Sequence, residues 1–385
     1  MSRTVLFLSH TAELNGAERW LLETVRNLDR SRFRPVLALP GPGPLDDAAA
    51  AEGIERFRIP MKWWLTPAAR IWKQPAAWIW NVRGVRSLTV YLRERGIGLV
   101  FTNSAASLSG AWAARTARVP HVWMIHELLG RPRPHLACLL GRRWLRDFIV
   151  GSSAAVLVNS EATRRAFPES DHISIVYNGI PEWADRPAAA DRTAVRRRRG
   201  VGDKDFLCGV VGKVCEDKGQ REIVLAAASL RSRHPDLKLL IVGAEPKTRY
   251  VRKLRRLIRE RSLDEAVVFA GYQDDLHSIY SAMDLVIVGS GRESFGRTAL
   301  EAQALGVPVL AVEGGGIGEI VEHGKTGWLV DSGRPETIAA GIVHVLDHPL
   351  LSRAAAERGR KTARERFSLE AQVRKVESVL EAALG

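Results

Sequence analysis

The chain has 385 residues, 46% of them hydrophobic and 26% charged, with a formal net charge of +14. That length exceeds one ordinary core and suits two domains, and no stretch approaches the ~20 apolar residues of a membrane-spanning helix. Three cysteines (Cys138, Cys208, Cys215) lack metal-ligand spacing and argue against a disulfide framework, so a reduced, cytoplasmic setting is expected.

Apolar β-type runs alternate with helical stretches along the chain, the pattern of parallel sheets covered on both faces. Val5-Leu6-Phe7-Leu8, interrupted by His10 and Glu13, reads as a first buried strand rather than a leader. Strands are predicted at 4–9, 35–39, 54–59, 99–103, 121–125, 155–159 and 173–177 in the first half. The pattern restarts with strands at 206–212, 237–242, 267–270, 285–288, 307–312 and 327–330. Amphipathic helices are expected at 17–28, 218–233, 248–262 and 297–305. The Pro/Gly/Ala content of 178–191 marks a linker, and the run Arg196–Arg199 after it reads as a solvated first turn of the second domain. The predicted fold class is α/β, with two Rossmann-like doubly wound domains facing across a cleft. Their bounds are 1–182 and 183–365, with a terminal helix at 366–385 returning to the first domain.

Familiar phosphate-binding signatures fail. His323-Gly324-Lys325-Thr326 looks like the end of a P-loop, but Glu319 stands where its first glycine belongs. Gly314, Gly316 and Gly318 do not complete G-x-G-x-x-G, and neither G-x-S-x-G nor H-E-x-x-H occurs. A P-loop NTPase and a nicotinamide dehydrogenase are thereby disfavoured.

The most specific segment is 289–313, GSGRESFGRTALEAQALGVPVLAVE. A strand ends at Gly289, a turn follows, and a helix is expected from near Ser294. On one helix face, Glu293 and Glu301 would stand about 12 Å apart along the axis. That is too far for an acid and base flanking one bond, but it suits two ends of an extended ligand. The amides of Ser294, Phe295 and Gly296 would face an anion between them. In 209–219, GVVGKVCEDKG, Lys213 and Lys218 flank a loop at a strand's carboxyl end. Such cations grip a diphosphate by charge-assisted bonds worth ~1.5–3 kcal/mol each. Gly16, in Leu14-Asn15-Gly16-Ala17-Glu18, would let a phosphate approach the first helix, and Asn15 tolerates left-handed backbone. His126-Glu127 ends the strand 121–125, at the edge where doubly wound sheets bind ligands.

Glu293-x7-Glu301, with Phe295-Gly296 and Ala302-x-Ala304-x-Gly306-x-Pro308-Val309 in register, resembles the E-x7-E motif of the retaining glycosyltransferases of family 4 (GT-B fold, glycosyltransferase group 1). The resemblance implies that Glu293 contacts the donor sugar and Glu301 the ribose hydroxyls. It also implies that His126 lies near the reacting carbon, and that Lys213 and Lys218 neutralise the leaving diphosphate. Lys213 stands where the family has Arg, keeping the charge but losing the planar fork. Asn15 replaces a glycine of G-G-A-E, and Pro181 an Asp after Asn178-Gly179-Ile180, read here as hinge structure. Gly315, Gly316 and Glu319 resemble a G-G-x-x-E stretch near the donor, and Gly271 and Tyr272, with Ala270, lie where the base is expected. The expected activity moves a sugar, with retention, from a nucleoside-diphosphate sugar to a hydroxyl of a glycan or lipid-linked acceptor, in cell-surface polysaccharide or glycolipid synthesis. No metal or other cofactor is expected. The alternatives are a polyanion (nucleic-acid) binding protein, or a GT-B-fold nucleotide-sugar epimerase or hydrolase; no specific nucleic-acid partner is expected.

Residues 1–182 carry 24 Lys/Arg against 15 Asp/Glu, and within 61–100 seven basic residues face Glu94 alone. Trp63, Trp64, Trp72, Trp78 and Trp80 lie beside Lys62, Arg70, Lys73 and Arg83. A second patch runs from Arg131-Pro132-Arg133 to Arg142-Arg143-Trp144-Leu145-Arg146. Both have the makings of an interfacial surface on the anionic inner face of the plasma membrane. Core filling or an oligomer contact is the other reading of the tryptophans, and Pro67 and Pro75 speak against one continuous amphipathic helix.

Overall fold

A computed structural model describes residues 2–129, 136–188 and 190–385. The chain forms two compact units, one of Met1–Gly179 with Leu369–Gly385 and one of Ile180–Ser368. Arg131–Arg133 of the second basic patch lies outside the described residues.

The first unit holds β1 (Arg3–Ser9), β2 (Phe33–Leu39), β3 (Glu55–Arg58), β4 (Leu99–Asn103), β5 (His121–Ile125), β6 (Ala155–Val158) and β7 (Ile173–Ile175). They make one parallel sheet in the order β3-β2-β1-β4-β5-β6-β7. Alternation along β1 shows why its whole run is apolar. Val5 and Phe7 pack with Trp20 and Val25 of the helix Gly16–Asn27. Leu6 and Leu8 face the other way, onto Leu88 and Leu92 of the helix Gln74–Glu94 and onto Ala113 and Ala114. The terminal helix Leu369–Leu384 adds Val373, Val376 and Leu380 to the first of these cores. Its Gln372 accepts from the Gly179 amide at 2.6 Å and donates to Thr24 at 2.7 Å.

The second unit repeats the plan. Strands β8 (Phe206–Val211), β9 (Leu237–Val242), β10 (Val267–Gly271), β11 (Leu285–Val288), β12 (Val309–Val312) and β13 (Trp328–Val330) run parallel in the order β10-β9-β8-β11-β12-β13. Cys208 and Val210 pack with Ile223 and Leu254 of the helices Gln220–Leu230 and Arg249–Glu260. Each sheet reverses its build direction once, between β1 and β4 and between β8 and β11. Those reversals are the switch points at which open α/β sheets bind ligands beyond the carboxyl ends of their strands. Both units are thus Rossmann-like doubly wound domains.

Two local expectations are corrected. The helix after β11 is Arg297–Ala304 and not one from Ser294, because Gly296 caps it with φ +108°. Glu293 therefore lies in the preceding loop, and the two-turn spacing to Glu301 on one helix face does not exist. Arg196 is not solvated; it is 3% exposed and donates to Asp284 (3.0 Å), Ala282 O (3.1 Å), Gly202 O (2.9 Å) and Asp205 O. Burial is tolerable because Nη1 and Nη2 each reach two acceptors, Asp284 among them, leaving only Nε without one; Arg197 and Arg198 do face water. Pro75 stands in the first turn of the helix Gln74–Glu94, where its missing N–H costs nothing, and that helix runs unbroken for 21 residues. Pro67 precedes a separate 3-10 turn, Ala68–Lys73.

Candidate active site

The second unit's switch point is built from glycines that let four loops touch backbone to backbone. Gly219 has φ +69°, and a Cβ there would lie 2.5 Å from Gly289 O. The loop after β8 is thereby held against the loop after β11. A Cβ at Gly314 would meet Gly291 O at 2.2 Å, which draws the loop after β12 alongside. Glu293 pairs with Gly315 as a parallel bridge and accepts at its carbonyl from Gly316 N at 2.9 Å. Gly243 N donates to Gly271 O at 2.8 Å, bringing in the end of β10. Side chains at Gly219 and Gly314 would separate the loops.

Into this edge project the two lysines and the first glutamate. Lys218 Nζ donates to Glu293 Oε1 at 2.7 Å. Desolvation disfavours the Lys218 ammonium, but the adjacent Glu293 carboxylate outweighs it and holds the lysine above its ordinary pKa. Lys213 is exposed, and its carbonyl accepts from Gln220 at 3.1 Å. Ser294 and Phe295 follow Glu293 into the cap. The Phe295 ring is buried edge-on to Phe367 at 5.6 Å, anchoring the turn.

Glu301 sits elsewhere in this environment than its motif partner. It is 6% exposed, accepting from Tyr280 Oη at 2.8 Å and Arg297 Nε at 3.0 Å. Tyr280 is fully buried, stacks on Trp183 at 6.0 Å, and has its pKa pushed well up by burial and the Glu301 charge. Lys218 and Glu293 are brought together, while Glu301 belongs to an adjoining buried network. Gly271 ends β10, the sheet's edge strand, and Tyr272 beside it is 52% exposed.

The first unit's switch point has another chemistry. Gly16 opens the helix Gly16–Asn27, and a Cβ there would meet nothing within 4 Å, so space lies open over its amide. Asn15 is extended (φ −83°) and not left-handed. His126, just past β5, gives its Nε2 proton to Asn103 Oδ1 at 2.8 Å, because Asn103 Nδ2 is committed to Ala17 O at 3.0 Å. Its ring meets Trp20 edge-on at 5.2 Å. Glu127 accepts from Ser104 Oγ and from the amides of Ala105 (3.0 Å) and His126 (3.1 Å). Ser104 takes φ +84°, strain held in place by Trp123 Nε1 on its carbonyl at 3.0 Å.

Burial neutralises this edge. Desolvation lifts Glu127 above the usual carboxyl range against its hydrogen bonds. It raises Glu18 to about 7, with help from the Glu127 charge, and lowers His10 to about 4. His10 Nδ1 and Glu18 Oε1 are 3.5 Å apart, and the Trp63 ring lies 5.0 Å from His10.

The sequence marks no site role for Asn103, His10, Trp20, Arg297 or Tyr280. A polar residue ending an apolar strand at the switch point was the available signal for Asn103. Tyr280 and Arg297 carry no such mark.

Comparison with known proteins agrees with this fold. Residues 14–182 match Glycosyltransferase Family 4 and residues 191–362 match glycosyl transferases group 1. The D-inositol 3-phosphate glycosyltransferase of Corynebacterium kroppenstedtii is 30% identical over 69% of this chain and 63% of its own. N-acetyl-alpha-D-glucosaminyl L-malate synthase of Bacillus anthracis is 30% identical over 55% of this chain and 54% of its own. These alignments span about half to two thirds of the curated relatives' length. Anabaena HepE, solved with UDP and glucose, superposes with a TM-score of 0.83 at 24% identity, over 98% of this chain and 99% of HepE, and shares the fold. With both units matched in chain order, the protein belongs to the group 1, family 4 glycosyltransferases and has their GT-B pair of Rossmann-like domains.

Proposed function

We propose that this protein is a retaining glycosyltransferase that moves a sugar from a nucleoside-diphosphate donor to a hydroxyl of a glycan or lipid-linked acceptor. Its setting is cell-surface polysaccharide or glycolipid synthesis at the inner face of the plasma membrane. The observation that carries the reading is the Lys218–Glu293 pair on glycine-tightened loops at a switch point. A donor diphosphate entering there meets two cations, Lys218 and Lys213. They stabilise charge growing on the leaving phosphate, so the reaction needs no resident metal. Glu293, released from Lys218 by the competing diphosphate, accepts hydrogen bonds from the sugar. Glu301 reaches the ribose only through its remaining acceptor capacity, since Tyr280 and Arg297 hold both its oxygens. In the first unit, Gly16 leaves its amide open to phosphate, and His126 presents a ring fixed by Asn103. The acceptor hydroxyl attacks on the face from which the phosphate departs, retaining configuration.

HepE has been solved with UDP and with UDP-glucose, which makes UDP the first nucleotide to test. The experiment is a thermal-shift comparison of UDP, GDP, ADP and short RNA with and without EDTA, followed by product analysis with the stabilising donor. A selective, EDTA-insensitive shift with one nucleoside diphosphate, then transfer to added acceptor, supports the reading. A shift with RNA alone, or consumption of donor that acceptor does not change, overturns it.

A further inference from the structure

The helix Gln74–Glu94 has an inner face that meets the core through Leu88 and Leu92. Its outer face should be polar, as on any helix that only borders solvent. Instead Ile79, Val82 and Val90 stand 76%, 46% and 51% exposed at helical spacing. They form one wall of an open groove of about 760 Å³ whose other walls include Trp64, Trp78, Trp112 and Trp144. Trp64 Nε1 donates inward to Ser109 at 2.8 Å and Trp78 Nε1 to Trp64 O at 3.0 Å. Both indoles are thereby satisfied on the protein side and offer hydrocarbon to the groove. A contiguous apolar surface of this kind marks a docking site.

Charge selects the occupant. Arg86 lines the groove, and exposed Lys62, Arg70, Lys73 and Arg83 belong to the same basic stretch, in which Glu94 is the only acid. Lys62 Nζ lies 4.9 Å from the Trp80 ring and Lys73 Nζ 5.1 Å from the Trp72 ring. Aromatic rings beneath cations are the side-chain order of a membrane interface, hydrocarbon inward and charge at headgroup level. A second copy of the chain would bring like charge against like. No helix among the described residues is long and apolar enough to cross a membrane, so the contact would be peripheral.

We propose that this groove seats the acyl chains of an anionic phospholipid bilayer and docks the first unit on its surface. The loop between β3 and the helix Gln74–Glu94 joins the groove to the candidate site of that unit. Trp64 faces the groove, while its neighbour Trp63 meets His10 beyond the end of β1. Docking therefore brings the carboxyl edge with Gly16 and His126 toward the headgroup layer, where the hydroxyl of a lipid-linked acceptor is found. The inference deepens the proposed function and rests on its membrane-linked acceptor. It is tested without donor or acceptor, so failure of docking leaves the transfer reading standing.

The test is flotation with phosphatidylglycerol-containing and pure phosphatidylcholine vesicles at about 0.15 M salt, together with tryptophan quenching by phospholipids brominated in their acyl chains. Wild type should float with the anionic vesicles only and be quenched by the brominated chains. The double variant Ile79→Asp/Val82→Asp changes only exposed side chains; it should keep its thermal melting and lose about tenfold or more in vesicle affinity. No flotation of wild type overturns the proposal. So does flotation without quenching, which means adsorption to headgroups alone, and so does wild-type affinity of the double variant. Concentration-dependent dimerisation abolished by the same variant, in place of vesicle binding, assigns the groove to a second copy instead.

Discussion

The two units end their strands over the same topological feature but furnish it differently. At the second, Lys218 is held in its charged form beside Glu293, and Lys213 is exposed, on loops that glycines clamp together. At the first, His10, Glu18 and Glu127 are pressed toward their neutral forms by burial, and Trp20 and Trp63 crowd the histidines. One fold thus yields a charged site where loops are short and open to solvent, and a desolvated one where aromatic side chains exclude it. The charged edge suits a diphosphate, and the desolvated edge suits a sugar and an uncharged hydroxyl.

The largest expected effect breaks the charged side. Lys218→Ala should lower kcat/KM by on the order of 10²–10³-fold, the usual loss of one group that stabilises transition-state charge. Its circular dichroism should be unchanged, and near-wild-type turnover would remove the lysine from the reaction. Glu293→Ala should abolish transfer in the same assay, whereas Glu301→Ala should also lower the melting temperature, because it removes the buried carboxylate to which Tyr280 and Arg297 donate.

The desolvated side is sharpened by pH. Glu18 has a folded pKa of about 7 against an ordinary 4.5. The folded state therefore binds more protons between those values, and stability falls as pH rises through the window. The size is roughly 3 kcal/mol for one such group. Glu18→Gln should match wild type in urea unfolding at pH 4 and be the more stable protein at pH 8. Equal stabilities at pH 8 would show that Glu18 ionises freely. His10, with a folded pKa of about 4 against 6.5, has the opposite sign and destabilises as pH falls through 6.5 toward 4. In the overlap the two slopes oppose, so the variant rather than the wild-type profile exposes either one.

The smallest effect compares two glycines. Gly219→Ala needs a left-handed backbone and a clash with Gly289 O, and should cost about 1–3 kcal/mol in stability. Gly16→Ala meets open space at a helix start and should gain ~0.4–1 kcal/mol, while raising the donor KM if phosphate approaches that amide. Unchanged KM would take Gly16 out of the donor site.

The parallel sheets were legible because strands buried on both faces read as unbroken apolar runs; each strand end falls within two residues of its expected place. Glu293, Lys213 and Lys218 were legible as residues but not as geometry. A helix was read through Ser294 because nothing local shows that Glu293 bridges Gly315, across another loop. Arg196 looked solvated inside a run of four arginines, since its acceptor Asp284 lies far along the chain. The neutral first edge was invisible for the same reason: a pKa follows from what surrounds a group, and those neighbours come from β1, β4 and β5 together.

The helix Leu369–Leu384 completes the core of the first unit, covering Trp20, Leu21 and Val25 with Val373, Val376 and Leu380. During vectorial synthesis that helix leaves the ribosome only after the whole of Ile180–Ser368. The unit made first is consequently finished last, and it holds an uncovered apolar face throughout elongation. Nascent chains of this protein should present an apolar chaperone site until the helix Leu369–Leu384 has emerged and docked.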